Sequence, residues 1–327
     1  MTKRIGVIGA GGTIAMQAAH AFDWVDYGDS GIVHPVDQVI AGMDFGLPEV
    51  EVLPVPFRML PGTGIGNADW LELSARIAEL SAGGALDGIV VTHGTATLEE
   101  TAFFLSLALQ PGLPVVVTGA QRPPNAASSD AVAGLRQALI AASQSPAGVW
   151  VAMNGMLFGP EDVTKTANHA LDAFEAPEFG PLGRVEASGH LTLRRMPMVP
   201  RRVFDLSGLD AATLPRVDLV MSYAGADGAV VDALVAAGAC GLISAGLPPG
   251  RCTPSERAAL LRAVSAGVTV VQSSRALRGQ VPLQQYNARD AILSGGGLAP
   301  NKARILVMLA LATGTGAGEL QELLLGW

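Results

Sequence analysis

Short runs of apolar, mostly β-branched residues alternate with segments of helical length along most of this 327-residue chain. Strands that are buried on both faces have such continuous apolar runs, and helices cover both faces of a parallel sheet. The alternation therefore predicts an α/β fold with a mostly parallel N-terminal sheet and flanking helices. The predicted strands are Ile5–Ile8, Ile89–Val91, Val115–Val117 and Val149–Met153, and the predicted helices are Trp70–Leu80, Thr97–Leu109 and Asp130–Ala142.

The alternation stops over residues 185–215, where arginines and prolines accumulate, and it then resumes. Proline-rich segments of this kind are typical of linkers. We expect a larger N-terminal catalytic domain over residues 1–190, a linker over 191–213 and a smaller C-terminal α/β domain over 214–327. The second domain has predicted strands at Val217–Met221, Gly241–Ser244 and Val268–Gln272, and predicted helices at Gly228–Ala237, Pro254–Ala266, Lys302–Leu311 and Glu319–Leu325.

Composition narrows the function classes. Apolar residues make up 49% of the chain and charged residues 15%, against about 25% charged in an average soluble protein, which excludes disorder. The net charge of −8 argues against nucleic-acid or anionic-membrane partners. Cys240 and Cys252 lack zinc-ligand spacing, so we expect free thiols and no metal. The first residues lack the apolar core of a signal peptide, and we expect a soluble, cytoplasmic protein.

A glycine-rich segment, Gly9–Ala15, follows the first predicted strand. A dinucleotide-binding loop would need a third glycine at position 14, which is Ile14, and no lysine follows as in a phosphate-binding loop. We therefore expect no cofactor. The segment predicts a turn at the carboxyl edge of the sheet, where ligands bind in open α/β sheets. There it presents the Thr13 hydroxyl, for which a structural role remains an alternative.

A second polar segment, Thr92–Thr95, lies between a predicted strand and a predicted helix. Free backbone N–H groups at such a junction can bind an anion or an oxyanion. Thr95 is expected at the same sheet edge as Thr13. His93 is either a catalytic base or, as we favour, a hydrogen-bonded structural residue. Thr97, with Glu100 three residues later, predicts an N-cap with a capping box.

A lysine between two threonines, Lys165, is the third candidate. Of the 21 basic residues only Lys3, Lys165 and Lys302 are lysines, and the rest are arginines. A threonine nucleophile needs a base. A buried lysine can lose its proton, whereas arginine in practice cannot. Lys165 is therefore a candidate base, and an ordinary surface lysine is the alternative.

Together these motifs resemble the bacterial-type L-asparaginase/glutaminase family over nearly the whole chain. The resemblance implies a cofactor-free, two-domain α/β enzyme, usually a homotetramer of intimate dimers, that hydrolyses a small-molecule amide through an acyl-threonine intermediate. It implies Thr13 as nucleophile, Tyr27 as the lid tyrosine, and Thr95 and Lys165 as members of a second triad, with an oxyanion hole near Thr13 and Thr95. The motifs are Gly11–Ala15, Thr92–Thr95, Leu98–Ala102, Thr118–Pro123, Asp162–Thr166, Gly180–Gly183, Ser244–Gly246 and Lys302–Arg304.

The chain departs from the family where relatives hold an amino-acid substrate. Ala96 replaces the aspartate that completes the triad and binds the substrate ammonium, and Gly62 and Gly64 stand in place of a serine and an acid. In the smaller domain, Pro248 and Gln284 stand where relatives carry an asparagine and an acid. The expected substrate-binding residues are Gly62, Thr63, Gly94, Ala96 and Arg58.

The departures predict a threonine-nucleophile amidohydrolase whose substrate is not free L-asparagine. The glycines suggest a widened pocket under the aromatic residues Phe22 and Trp24 of the lid, and Arg58 could bind a substrate carboxylate. Three alternatives remain. The protein could hydrolyse a cyclic amide, imide, lactone or ester. It could be an L-asparaginase in which Ala96 is an introduced replacement. It could also be a catalytically silent binding protein. Whether Thr13 or Thr95 attacks first also stays open.

Overall fold

The structure is a computed structural model that describes residues 2–327. The chain divides into an N-terminal unit that ends at Val199 and a C-terminal unit, Pro200–Trp327. Each unit contains its own parallel sheet. Within the described residues, no helix is long and apolar enough to cross a membrane.

The N-terminal unit is built on one mixed sheet with the strand order β10-β9-β6-β5-β4-β3-β1-β2. The five strands β5, β4, β3, β1 and β2, which are neighbours in this order, are parallel. Strands β6, β9 and β10 extend the sheet in antiparallel pairs. The strands are β1 Lys3–Gly9, β2 Val50–Val55, β3 Gly88–Thr92, β4 Pro114–Thr118, β5 Gly148–Met153, β6 Met156–Phe158, β9 Gly183–Val185 and β10 Leu191–Leu193. A separate two-stranded ribbon pairs β7 Thr164–Lys165 with β8 Phe174–Glu175.

The core of this unit follows from the strand period of two. The register aligns Val7, Val90, Val116 and Trp150 across four strands, and all four side chains are fully buried in one cluster. Helix α4 supplies the small and apolar residues of that cluster. Because successive side chains point to opposite faces, the neighbouring row of Ile8, Val91 and Val117 is buried on the other face. The helices of this unit are α1 Val36–Ala41, α2 Asn67–Ala82, α3 Leu98–Ala108 and α4 Ala131–Gln144.

The C-terminal unit repeats the α/β arrangement on a smaller scale. Its sheet has the parallel strand order β11-β12-β13-β14, and helices α5 and α6 pack on it through an apolar cluster that includes Val231, Ala259 and Leu260. The strands are β11 Val217–Met221, β12 Gly241–Gly246, β13 Thr269–Ser274 and β14 Leu293–Ser294. The helices are α5 Ala229–Ala236, α6 Pro254–Ser265, α7 Gln285–Asp290, α8 Pro300–Ala312 and α9 Ala317–Leu324.

The predicted strands and helices are confirmed to within a few residues at each end. Two details differ from the prediction. Leu191–Leu193, at the start of the predicted linker, forms the edge strand β10 of the larger sheet. Thr97 occupies the predicted N-cap position of α3, but its side chain accepts no backbone N–H of the helix, so the capping box does not form. Its hydroxyl donates to the Gly62 carbonyl oxygen at 2.8 Å.

A capping box does form at the start of α6. The Thr253 hydroxyl accepts from the Glu256 backbone N–H at 3.2 Å, and the Glu256 carboxylate accepts from the Thr253 backbone N–H at 3.1 Å. We expect Thr253→Ala to lower the free energy of unfolding by about 1 kcal/mol. Urea unfolding followed by circular dichroism measures this loss. Ser255→Ala, an exposed position on the same helix, is the control, and an equal loss in both variants would contradict the assignment.

Candidate active site

The carboxyl ends of adjacent strands bring the first two threonine segments to the same sheet edge. Strand β1 pairs in parallel with β3, with Gly9 opposite Thr92, and the Ala10 backbone N–H donates to the Thr92 carbonyl oxygen at 2.9 Å. Thr13 begins a short 3-10 turn after β1, and Thr95 lies between β3 and α3. Both threonines are buried, each with 7% exposure.

Glycines allow the loops that carry these threonines to touch. Gly12 has a φ of +82°, and a Cβ there would lie 2.4 Å from the Gly94 Cα. A Cβ on Gly94 would in turn lie 2.1 Å from the Gly62 Cα. Any side chain at Gly12 or Gly94 would force the loops apart. The residues directly before Thr13 and Thr95 are thus in backbone contact.

This contact corrects the expectation of a pocket widened by glycines. A Cβ on Gly62 would meet the Gly94 Cα at 3.1 Å, and one on Gly64 would meet the Pro61 ring at 2.8 Å. The space beside Gly62 is therefore occupied by the Gly94 backbone, and the space beside Gly64 by the Pro61 ring. Thr63 and Ala96 are exposed beside this contact, and a Cβ on Gly62 would lie 3.7 Å from the Ala96 methyl group.

Thr13 is paired with the lid tyrosine. The Thr13 hydroxyl and the Tyr27 hydroxyl are 2.9 Å apart, and Tyr27 lies in a second 3-10 turn, Asp26–Ser30. A phenol at this distance can exchange a proton with the threonine hydroxyl.

The lid segment is held by several contacts that the sequence did not reveal. The buried Asp23 carboxylate accepts from the backbone N–H groups of Ala19 and Asp26 at 3.0 Å each. The Ala19 bond is the main reason that the pKa of Asp23 is lowered. The Arg122 guanidinium lies 4.0 Å above the Trp24 ring, a cation–π contact. Asp23 and Trp24 thus build the lid itself.

Thr95 is paired with Lys165. The Lys165 Nζ donates to the Thr95 hydroxyl oxygen at 2.8 Å. Burial lowers the pKa of Lys165, while the nearby carboxylates of Asp130 and Glu99 oppose that shift. A lowered pKa makes the neutral amine, which can act as a base, accessible nearer neutral pH.

The backbone of Lys165 is fixed from α3. The Glu99 carboxylate accepts from the Lys165 backbone N–H at 2.7 Å, and β7 pairs Lys165 with Phe174. The Asp130 carboxylate accepts from the Gln121 backbone N–H at 2.8 Å and from that of Arg122 at 3.0 Å. Glu99 and Gln121 lie inside motifs quoted above, but nothing in the sequence indicated their partners.

His93 is a structural residue in this geometry. Its Nδ1 lies 2.8 Å from the Gly94 carbonyl oxygen, which can only accept, so Nδ1 carries the proton and Nε2 accepts from the Thr101 hydroxyl at 2.9 Å. The Thr101 hydroxyl in turn accepts from the Trp70 indole N–H at 2.8 Å. Burial lowers the pKa of His93 to about 4. Both ring nitrogens are occupied.

Arg58, the predicted partner of a substrate carboxylate, forms ion pairs with acids of this chain. Its guanidinium pairs with the Asp69 carboxylate at 2.9 Å and with the carboxylate of Glu72, both near the start of α2. Asp69 also accepts from the Gly66 backbone N–H at 2.9 Å. Arg58 therefore anchors α2 to the preceding segment. Within residues 2–327, no group of three or more His, Cys, Asp or Glu side chains is arranged to hold a metal ion.

Comparison with known families gives this site its context. Residues 4–198 match the family model "Asparaginase, N-terminal", and residues 216–324 match "Glutaminase/Asparaginase C-terminal domain". The chain belongs to the bacterial-type asparaginase family. Members of this family hydrolyse carbon–nitrogen amide bonds, so the protein is an amidohydrolase.

Individual relatives support this assignment. The chain is 38% identical to L-asparaginase 2 of Bacillus subtilis, over 76% of this chain and 67% of the relative. It is 34% identical to the glutaminase-asparaginase of Pseudomonas fluorescens, over 97% of this chain and 88% of the relative. The crystal structure of a probable cytoplasmic L-asparaginase from Campylobacter jejuni superposes with a TM-score of 0.87 at 32% identity and covers 99% of both chains.

The buried His93 should make stability depend on pH. The unfolded chain protonates this residue below its ordinary pKa of 6.5, whereas the folded protein does so only near 4. Because the unfolded state binds the extra proton, stability is lost as pH falls from 6.5 to 4, by about 3 kcal/mol from this group.

Urea unfolding at pH 7 and pH 4 tests this expectation. Wild type should lose about 3 kcal/mol more than His93→Gln between the two pH values. The carboxylates titrate in both proteins and cancel in the difference. Equal losses, or an imidazole NMR titration of His93 near pH 6.5, would refute the assignment.

Proposed function

We propose that this amidohydrolase acts through a threonine nucleophile and an acyl-enzyme intermediate, on a substrate other than free L-asparagine. The observation that carries the proposal is the hydrogen bond from Lys165 Nζ to the Thr95 hydroxyl at 2.8 Å, made by a lysine whose pKa burial lowers. Thr13, with its hydroxyl 2.9 Å from that of Tyr27, is the nucleophile in this proposal.

The reaction needs four functions, and the chain offers a group for each. Thr13 attacks the amide carbonyl as its proton passes to the Tyr27 hydroxyl, whose own proton passes on to the leaving nitrogen. The tetrahedral intermediate then collapses to the acyl-threonine ester and expels ammonia or an amine. Lys165 and Thr95 then activate the water that hydrolyses the acyl-threonine ester. Backbone N–H groups of Thr13, Thr95 and Ala96 donate to no acceptor within residues 2–327, which supports their use as an oxyanion hole.

The substrate proposal rests on Ala96 and its surroundings. Relatives of this family hold the ammonium group of an amino acid with an aspartate at this position, as the motif resemblance implies. Here a methyl group occupies it, and Gly62 and Gly64 contribute backbone only. A hydrogen bond between a carboxylate and a substrate ammonium adds about 1.5–3 kcal/mol, so its absence disfavours free amino acids.

The relatives' names nevertheless make L-asparagine and L-glutamine necessary members of any substrate panel. The further proposals of a homotetramer and of a cytoplasmic location rest on the family resemblance alone. Analytical ultracentrifugation of the full chain tests the first, and fractionation of the source cells tests the second.

Substitution at the paired threonines and lysine should separate catalysis from folding. Against amides, imides, lactams, lactones and esters, we expect Thr13→Ala to abolish product release. Lys165→Met should lower kcat by about a hundredfold or more, the usual loss of a general base. Because the pKa of Lys165 is lowered, wild-type kcat should rise with pH to a plateau below the ordinary lysine pKa of 10.5.

Lys3→Met is the matched control, because Lys3 pairs with Asp87 on the surface at 2.9 Å. It should leave kcat unchanged. Full activity of Thr13→Ala would refute Thr13 as nucleophile. Saturable binding of a panel member without product in wild type would favour the silent binding protein.

Restoring the acid should restore the amino-acid substrate. We expect Ala96→Asp to raise kcat/KM for L-asparagine by about tenfold to a hundredfold, through one charged hydrogen bond to the substrate ammonium. Ala96→Asn has the same shape without the charge and should give little of this gain. Robust L-asparagine hydrolysis by wild type, unchanged in Ala96→Asp, would contradict the substrate proposal.

A further inference from the structure

A pocket of about 430 Å³, its open mouth included, lies within the C-terminal unit. Its lining includes Ser244 of β12 and Gln272 of β13, which are opposite each other in the parallel register. Helix α6 adds Leu260 and Arg257, and the segment before α6 adds Arg251. None of these residues belongs to the proposed catalytic site.

The walls of this pocket are held in place by one buried amide. Gln272 is 4% exposed, and its Nε2 donates to the Gly250 carbonyl oxygen at 2.8 Å. Its Oε1 accepts from the Asn287 side-chain amide at 3.0 Å and from the Tyr286 hydroxyl. The loop at Gly250 and the start of α7 are thereby fixed to the same strand, so the pocket is formed before any ligand binds.

The pocket is electropositive in a chain of net charge −8. The Arg251 guanidinium lies 4.5 Å above the Tyr286 ring and donates to the neutral Gln284 Oε1 at 2.7 Å. Within residues 2–327 it has no carboxylate partner at ion-pair distance. Arg257 pairs with Asp290, but Asp290 also pairs with Arg289, so one carboxylate serves two arginines.

Polar and apolar groups both face the pocket. Ser244 is 4% exposed and lines the pocket, so it contributes a hydroxyl group to the wall. A hydroxyl can donate a hydrogen bond to a ligand oxygen. Leu260 and Ile292 supply apolar lining. An inorganic phosphate would satisfy Arg251 but leave this apolar surface without contact.

We propose that this pocket binds a small organic carboxylate with a short aliphatic body. The carboxylate pairs with the Arg251 guanidinium and accepts from the Ser244 hydroxyl, and the aliphatic body packs on Leu260 and Ile292. Planar guanidinium groups bind carboxylates through two parallel hydrogen bonds, which suits a group already oriented by stacking on Tyr286.

The alkylation rates of the two cysteines can report whether a ligand occupies the pocket. Cys252 lines the pocket and is half-buried, whereas Cys240 is exposed in the same unit and does not line it. In the full-length protein, butyrate should slow alkylation of Cys252 by iodoacetamide several-fold and leave Cys240 unchanged, as measured by peptide mass spectrometry. Butyramide, the neutral analogue, should protect neither cysteine.

Variants test whether the Arg251 guanidinium binds the carboxylate of butyrate. Arg251→Gln should abolish protection by butyrate, whereas Arg278→Gln, which removes an exposed arginine of the same unit, should retain it. Equal protection by butyrate and butyramide, or protection that persists in Arg251→Gln, would overturn the proposal. If Cys252 does not react in free protein, the butyrate-induced rise in Tm is compared among the same variants, and an equal rise in all of them overturns it as well. None of these readouts depends on amide hydrolysis.

Discussion

The backbone contact among Gly12, Gly94 and Gly62 sets where the reacting side chains of the N-terminal unit lie. These glycines come from the segments after β1, β3 and β2, and a Cβ at any of them would lie within 3.1 Å of another loop's backbone. Two loops from adjacent parallel strands would otherwise diverge as they leave the sheet. Their contact fixes Thr13 and Thr95, the residues that directly follow Gly12 and Gly94, at neighbouring positions.

The two hydroxyl pairs are secured in different ways. Lys165 reaches Thr95 from a short ribbon whose backbone is bonded to Glu99 of α3, so the amine is anchored to the same helix that follows Thr95. Tyr27 reaches Thr13 from a lid that depends on the Asp23 carboxylate and on the Arg122–Trp24 contact. The lysine pair is thus part of the α/β framework, whereas the tyrosine pair depends on the contacts of a surface segment.

The fold and the placement of two threonines at one sheet edge could be predicted because their signals are local. Apolar runs of strand length identify the sheet, and a polar segment directly after such a run must lie at the sheet edge, as Thr13 and Thr95 do. Partners chosen by long-range competition could not be predicted. Arg58 pairs with Asp69 and Glu72, although the sequence offered a substrate carboxylate as an equally simple partner.

Thr97 and Gly62 also make long-range contacts that the sequence does not predict. Thr97 lies at the N-cap position of α3 as predicted, but its hydroxyl bonds to the Gly62 carbonyl oxygen, which is near only after folding, and not to the helix. The glycine at position 62 predicts empty space, but the loop closes onto Gly94 because neither residue has a side chain to keep the two backbones apart. A missing side chain predicts a pocket only when the surrounding backbone cannot move.

In the proposed mechanism, the alanine at position 96 matters for the charge of Lys165 as well as for the substrate. The carboxylates of Glu99 and Asp130 already favour the charged amine, and burial opposes them strongly enough that the pKa is lowered. An aspartate next to Thr95 would add a third negative charge near the same amine and shift that balance toward the ammonium form. With Ala96, desolvation dominates, and the lysine is better suited to accept a proton from Thr95 or from water. In the proposed mechanism, the alanine that offers no contact to an amino-acid ammonium therefore also keeps Lys165 nearer the neutral form that would activate water.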